Sequence, residues 1–155
     1  MPSAAESWFA GLVDGEGCLT VGVYRQHRRT LKFELRFSIS MREGDWVRVV
    51  SDLLRLRGIP FHTRKRKNQV ELRVNGRKSV GRLISIILPS MIVKKALAQK
   101  LLEFPAAPRR NRYTKVDDSY LNAICSLVDY TRAFNKGKNR KHKWNGNSIR
   151  SYMES

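Results

Sequence analysis

Two acids, Asp14 and Glu16, end an apolar stretch and are interleaved with Gly11, Gly15 and Gly17. A carboxylate in that setting suits a hard divalent cation, because Mg²⁺ takes oxygen ligands and keeps several waters. Gly11 and Gly15 are four apart with Ala10 beside the first, which strips one helix face of bulk and lets two copies of the helix approach closely. Interior glycine costs a helix about 1 kcal/mol relative to alanine, so two of them need a compensating contact. Close-packed helix ends would bring Glu16 of one copy near Glu16 of the other. Two carboxylates at one point demand cations, held by the Glu16 carboxylate and a nearby carbonyl such as that of Gly15. Asp14, on a different helix face, reads as structural, binding loop amides.

The partner class follows from charge. Against 31 Lys and Arg stand 13 Asp and Glu, a net charge of +18 on 155 residues. That exceeds what solubility asks for, and the folded state must overcome its own repulsion. Nucleic acid is the natural screen, because neutralised phosphates release condensed counterions. A membrane surface would want the basic residues on one amphipathic helix, whereas here they alternate along extended segments. With a phosphodiester as partner, the ion at Glu16, Mg²⁺ or another such as Mn²⁺, would activate a water for in-line attack on phosphorus and stabilise the leaving 3′ oxygen.

Other chemistries are excluded or unsupported. His27, His62 and His142 are scattered and flanked by Arg or Lys, and Cys18 and Cys125 lack the close-spaced partners of a zinc site. Both cysteines read as free thiols. No apolar run approaches the about 20 residues of a membrane span, and no secretory signal is visible, so an intracellular protein with no membrane partner and no small-molecule cofactor is expected. At 41% hydrophobic residues the chain forms a single domain over 1–155, with a core of 7–104 and a basic C-terminal region of 105–155.

The elements that must position these residues can be read from periodicity. A helix is expected over 7–14 with Ser7 as N-cap. Leu19, Val21 and Val23 alternate with polar or small residues, as do Leu31, Phe33, Leu35, Phe37 and Ile39, which predicts two half-buried strands joined by residues 25–30. Asp45 caps a helix with the stripe Trp46, Val49, Val50, Leu53 and Leu54, stopped by Gly58 and Pro60. A second hairpin over 61–67 and 69–75 should pair Arg66 with Gln69, Arg64 with Glu71 and His62 with Arg73 on one face. Ser79 caps the next helix, Pro89 opens another, and 118–134 is helical. The result is α+β, in the order αββαββα(α), with a curved four-stranded antiparallel sheet, helices on its inner face, a bare charged outer face and further helices at the C-terminus.

Phe9-Ala10-Gly11-Leu12-Val13-Asp14-Gly15-Glu16-Gly17 resembles the signature of the LAGLIDADG homing endonucleases, and the element order matches that family's fold. The resemblance implies a single-motif nuclease working as a homodimer through Trp8, Ala10, Gly11, Asp14 and Gly15, with Glu16 and Gly15 on the metal. It also implies a catalytic lysine after Pro89, a place held by Lys94. Where many relatives carry a water-orienting Gln, this chain has Met41 followed by Arg42, leaving Ser40 or Arg42 for that role.

Double-stranded DNA would then lie on the sheet, whose two-stranded ribbons fit a major groove. Tyr24, Lys32, Glu34, Arg36, Ser38 and Ser40 are the expected contacts from the first hairpin, with Thr20 and Gln26 and the turn residues Arg28 and Arg29 beside them. Arg64, Arg66, Gln69, Glu71 and Arg73 come from the second, and Lys138 and Lys141 grip phosphates. The function implied is divalent-metal-dependent hydrolysis of both strands at a long, partly palindromic site, tied to intron or intein homing. The alternative is a non-catalytic relative, an intron maturase or a DNA-binding regulator.

Overall fold

Alternation along the chain becomes the two faces of a sheet. In the computed structural model, which describes residues 1–26, 30–108, 117–135 and 143–154, helix α1 (Ala4–Glu16) runs straight into β1 (Gly17–Gln26) and its antiparallel partner β2 (Thr30–Arg42). Leu31, Phe33, Leu35, Phe37 and Ile39 of β2 are all buried. After α2 (Trp46–Leu56), a second hairpin of β3 (His62–Arg66) and β4 (Gln69–Asn75) completes a sheet of order β1-β2-β4-β3. Its register pairs Arg66 with Gln69, Arg64 with Glu71 and His62 with Arg73, as the pleat requires, about a turn in which Lys67 has φ 51°. Helix α3 (Arg77–Ile87), a 3₁₀ turn (Leu88–Ser90) and α4 (Lys95–Leu101) follow, then α5 (Asp118–Phe134) and α6 (Gly146–Glu154). The core lies between the sheet's apolar face and the helices, with Phe9 of α1 edge-on to Phe37 of β2. The α+β order expected from the sequence stands.

Several boundaries differ from expectation, each for a local reason. Helix α1 starts a turn before Ser7, because Ser3 and Glu6 form a capping box: the Ser3 hydroxyl accepts from the Glu6 amide (3.2 Å) and the Glu6 carboxylate from the Ser3 amide (2.8 Å). Glu6 is buried and its charge is met by Arg57, just past α2. Asp45 makes no cap; instead the Trp46 indole donates to the Arg42 carbonyl (2.7 Å) and ties the start of α2 to the end of β2. Helix α3 begins at Arg77 rather than at Ser79, after Gly76 at φ 98° turns the chain out of β4. Pro89 sits in the 3₁₀ turn and opens no long helix, for α4 starts at Lys95. Strand β1 runs on to Gln26, so Arg25 and Gln26 belong to the ladder rather than to the turn. Helix α6 has no counterpart among the helices that periodicity picks out.

The turn from α1 into β1 is very tight. A Cβ on Gly17 would lie 2.8 Å from the Val13 carbonyl oxygen and 2.9 Å from Val13 Cα. Both are backbone atoms of α1 and neither can swing aside. Gly17→Ala should therefore lower stability by about 1–3 kcal/mol, the usual cost of overpacking. Urea denaturation of the two chains measures this directly, and equal midpoints would show that the junction has slack.

Candidate active site and nucleic-acid interface

The C-terminal end of α1 is fixed by the segment before α4. The Asp14 carboxylate accepts from the backbone amides of Ile92 (2.7 Å) and Lys94 (2.9 Å), while the Lys94 ammonium donates to the carbonyls of Val13 (3.0 Å) and Gly17 (2.6 Å). Asp14 thus binds loop amides, as its position suggested. Its carboxylate is engaged within the chain rather than offered to a second copy. Burial raises the Asp14 carboxyl, but the amides of Lys94, Ile92 and Val93 and the Lys94 charge outweigh it, leaving the group below its ordinary value of 3.8. The same bonds tie this segment to the end of α1, and the helix after Pro89 begins only at Lys95.

Between the two carbonyls that Lys94 grips stands Glu16. Its side chain is exposed and has no hydrogen bond or ion pair among the described residues. The Gly15 carbonyl is one of the last four of α1, which a helix leaves without intrahelical donors. These are hard oxygen donors at the negative end of a helix dipole, a donor set that fits Mg²⁺ or Mn²⁺. Among the described residues no three of His, Cys, Asp and Glu are grouped closely enough to enclose an ion.

The rest of α1 divides into two faces. Phe9, Ala10 and Val13 are buried in the core, so Ala10 does not belong to an intermolecular face as expected; its methyl packs inward. Trp8, Gly11 and Gly15 are exposed on the other side and Leu12 is half-buried. Beside them stand Ile92 and Val93, exposed at 83% and 67%, while Lys94 itself is half-buried. A Cβ built on Gly11 or on Gly15 meets nothing within 4 Å.

On the sheet, the even-numbered residues of β1 and β2 face away from the core. Register sets Thr20 opposite Arg36, Gly22 opposite Glu34 and Tyr24 opposite Lys32; across β2 and β4, Arg36 faces Asn75, Ser38 faces Arg73 and Ser40 faces Glu71. Gln26 and Lys32 are exposed, as are Arg64, Arg66 and Gln69 of the second hairpin. Tyr24 and Arg36 stack, the guanidinium 5.0 Å from the ring centroid, and both lie over Gly22, where a Cβ would stand 3.0 Å from the phenol. The Arg36 Nε and the Asn75 Oδ1, on directly opposed residues, are each buried without a partner among the described residues. Burial and the nearby Arg73 charge push the Arg36 guanidinium down, with Glu71 opposing. Glu71 accepts from Arg73 Nε (2.9 Å), and Ser40 donates to Gln69 (3.4 Å). Met41 is half-buried on the core side, whereas Ser40 and Arg42 lie on the charged side, one at the first position beyond the pairing of Gly17 with Ile39. Arg28, Arg29, Lys138 and Lys141 lie outside the described residues.

One expectation needs correction. The charged face is not bare at its β1 edge: Arg132 of α5 donates to the Thr20 hydroxyl (3.1 Å), so Thr20 has a partner within the chain. Arg132 carries no local motif in the sequence, and only the packing of α5 along β1 brings it here.

A model of the family described as LAGLIDADG endonuclease matches residues 9–104. DNA endonuclease I-CvuI of Chlorella vulgaris is 24% identical over 135 residues, 86% of this chain and 81% of that protein. Among solved structures, I-CvuI in complex with the I-CreI target superposes with a TM-score of 0.74 at 20% identity, covering 96% of this chain and 92% of the other. The archaeal intron-encoded homing endonuclease I-Vdi141I, complexed with DNA, gives 0.67 at 19% identity, with 96% and 94% covered. These superpositions establish the fold.

The Asp14 junction generates a pH-dependent prediction. Asp14→Asn keeps the shape but turns an amide toward two backbone donors, and should cost about 1–3 kcal/mol near neutral pH. A carboxyl depressed in the folded state contributes stability that is present above the unfolded pKa and lost as pH falls through the folded one. The gap between the two chains should hold above about pH 4 and close below the ordinary value of 3.8. Thermal melts across that range test it, and a gap constant into acid would show that charge is not what holds the junction.

Proposed function

The chain belongs to the LAGLIDADG endonuclease family, and on that premise we propose that it is a homodimeric, site-specific homing endonuclease. It hydrolyses both strands of a long, partly palindromic DNA duplex with the help of a divalent cation. The observation that carries this reading is Glu16, an exposed carboxylate without a partner among the described residues, at the junction where α1 meets the charged sheet face.

Glu16 and the Gly15 carbonyl would hold the cation, with the same pair from a second copy and the DNA phosphate completing the shell that one chain leaves open. A cation bound there supplies charge to the phosphoryl oxygens and to the leaving 3′ oxygen. The chain's own residues do the remaining work. Lys94, held on the carbonyls of Val13 and Gly17, sets a fixed positive charge beside Glu16 that favours charge developing on the scissile phosphate. Ser40 or Arg42, both on the charged side of the end of β2, takes the part of orienting water that Met41, on the core side, cannot.

Dimerisation accounts for the glycines. Nothing in a single chain needs Gly11 or Gly15, since each has open space where a Cβ would stand. A second α1 crossing there would fill it, with Trp8, Leu12, Ile92 and Val93 as the apolar rim. On the sheet, Arg36 is held against Tyr24 over Gly22, and its Nε and the opposed Asn75 Oδ1 lack partners, an arrangement suited to a base edge in the major groove. The relative I-CvuI has been crystallised with DNA targets in the presence of Mg and of Ca. That agrees with a DNA substrate and a divalent cation for this chain.

Glu16→Gln should leave duplex binding in Ca²⁺ unchanged and slow Mg²⁺-dependent cleavage by about a hundredfold or more, the scale of losing one transition-state charge stabiliser. Gel shift and cleavage on a target selected from a randomised duplex library measure both. Parental cutting by this variant would move the metal elsewhere. Gly11→Leu should abolish the dimer while leaving the monomer's fold intact, since the site is open in one chain. Sedimentation of the variant answers this, and an unperturbed dimer would place the interface on another face.

A further inference from the structure

Arg132 stands out as a cation held in place without an anion. Its side chain is half-buried where α5 runs along β1, and no carboxylate pairs with it among the described residues. Two contacts fix its orientation: Nη1 donates to the Thr20 hydroxyl at 3.1 Å and Nε approaches the Trp144 carbonyl at 3.5 Å. Of the five N–H groups of a guanidinium, these use two. Burial lowers the guanidinium's pKa, with the nearby Cys18 thiol acting the other way. A half-buried arginine is costly unless something meets its charge, and neither a hydroxyl nor a peptide carbonyl does so.

Location narrows what could meet it. Thr20 is four residues past Glu16 along β1, within about 13 Å at strand rise, and on the face that carries Tyr24 and Arg36. Arg36 lies directly opposite Thr20, and Arg73 faces Ser38 one row away. The acids on this side, Glu34 and Glu71, lie opposite Gly22 and against Arg73, so neither answers Arg132. The site is therefore a cationic corner at the cleavage end of the sheet, entered from a helix at the rim. Phosphate oxygens and sugars take about half or more of the hydrogen bonds that proteins make to DNA, with arginine among their donors, and such contacts fix register without reading sequence.

We propose that Arg132 is a phosphate clamp, holding a backbone phosphate of the DNA duplex next to the scissile position, with Thr20 as its positioning residue. The inference rests on the nuclease reading, and it adds α5 to the DNA-binding surface. The anion is a phosphodiester, whose oxygens accept the remaining guanidinium donors in a fork geometry. Because the contact is to the backbone, it contributes affinity and register without sequence preference.

The test compares the parent with Arg132→Gln and Arg132→Lys in the full chain, binding two unrelated mixed-sequence duplexes in Ca²⁺ buffer across a potassium chloride titration. Each lost phosphate contact should flatten the slope of log affinity against log salt by about 0.9, hence about 1.8 for a dimer. Arg132→Gln should weaken both duplexes by the same factor, and Arg132→Lys should keep most of the slope. If the Gln variant unfolds, Arg132→Met, which keeps the buried stem, carries the same expectation. A neutral variant with the parental slope overturns the inference, however far its melting temperature falls, since Arg132 is then only a tie between α5 and β1. A Lys variant that flattens as much as the neutral one also overturns it. A parent that binds neither duplex at low salt sinks the nuclease reading itself; steep parental binding with an unchanged variant slope sinks this inference alone.

Discussion

The Asp14 carboxylate bonded to the amides of Ile92 and Lys94, with the Lys94 ammonium returning to the carbonyls of Val13 and Gly17, joins two parts of the chain about eighty residues apart. Everything at the chemistry-bearing end depends on it. The junction neutralises the negative end of the α1 dipole on one side only, through Lys94, and leaves Glu16 and the Gly15 carbonyl facing outward. It also bends residues 91–94 into a loop that presents Ile92 and Val93 beside the glycine face. Tight packing of Gly17 on Val13 then sends β1 off with no intervening linker. The direction of the sheet is set by the same few atoms that set the acid.

Charge and core are separated by the pleat with little overlap. Buried apolar residues of β1, β2 and β4 supply the folding free energy. The opposite face carries cations whose mutual repulsion acts against folding, eased by Glu71 beside Arg73 and by the stacking of Arg36 on Tyr24. Such a face is stable only because the core side overrules it. The Arg36 Nε and Asn75 Oδ1 mark hydrogen bonds that no other described residue satisfies. The apolar core and the charged surface thus occupy the two sides of one sheet.

What was legible in the sequence is what depends on short range. The strands, their faces and the second hairpin's register follow from a period of two, and α5 from its apolar spacing. The nine-residue motif carried the family and pointed to Glu16. Less legible were contacts between residues far apart in sequence. The start of α1 rests on Ser3 and Glu6, but Glu6 is buried because Arg57 meets it, and no spacing reveals that. Ala10 looks like a partner of Gly11 by adjacency, yet neighbours along a helix point about 100° apart, which sends one into the core and the other outward. Helix α4 starts only at Lys95, after a segment whose Ile92 and Lys94 amides bond to Asp14, a contact that no local spacing reveals. Arg132 is invisible locally, because its meaning comes from Thr20, 112 positions away.

The glycines of α1 are where these strands of reasoning meet. A helix that served only one chain would gain from alanine at 11 and 15, since each glycine costs about 1 kcal/mol and each site has room for a methyl group. Gly17 is different, being demanded by the chain's own backbone. Three glycines within seven residues therefore fall into two groups, one with its constraint inside the molecule and one whose proposed constraint lies outside it. The inner constraint fixes where Glu16 emerges. On the reading proposed above, the outer one would let a second Glu16 come near enough to share a cation, so that a pair of chains and a phosphate could close a coordination shell to which one chain contributes only part.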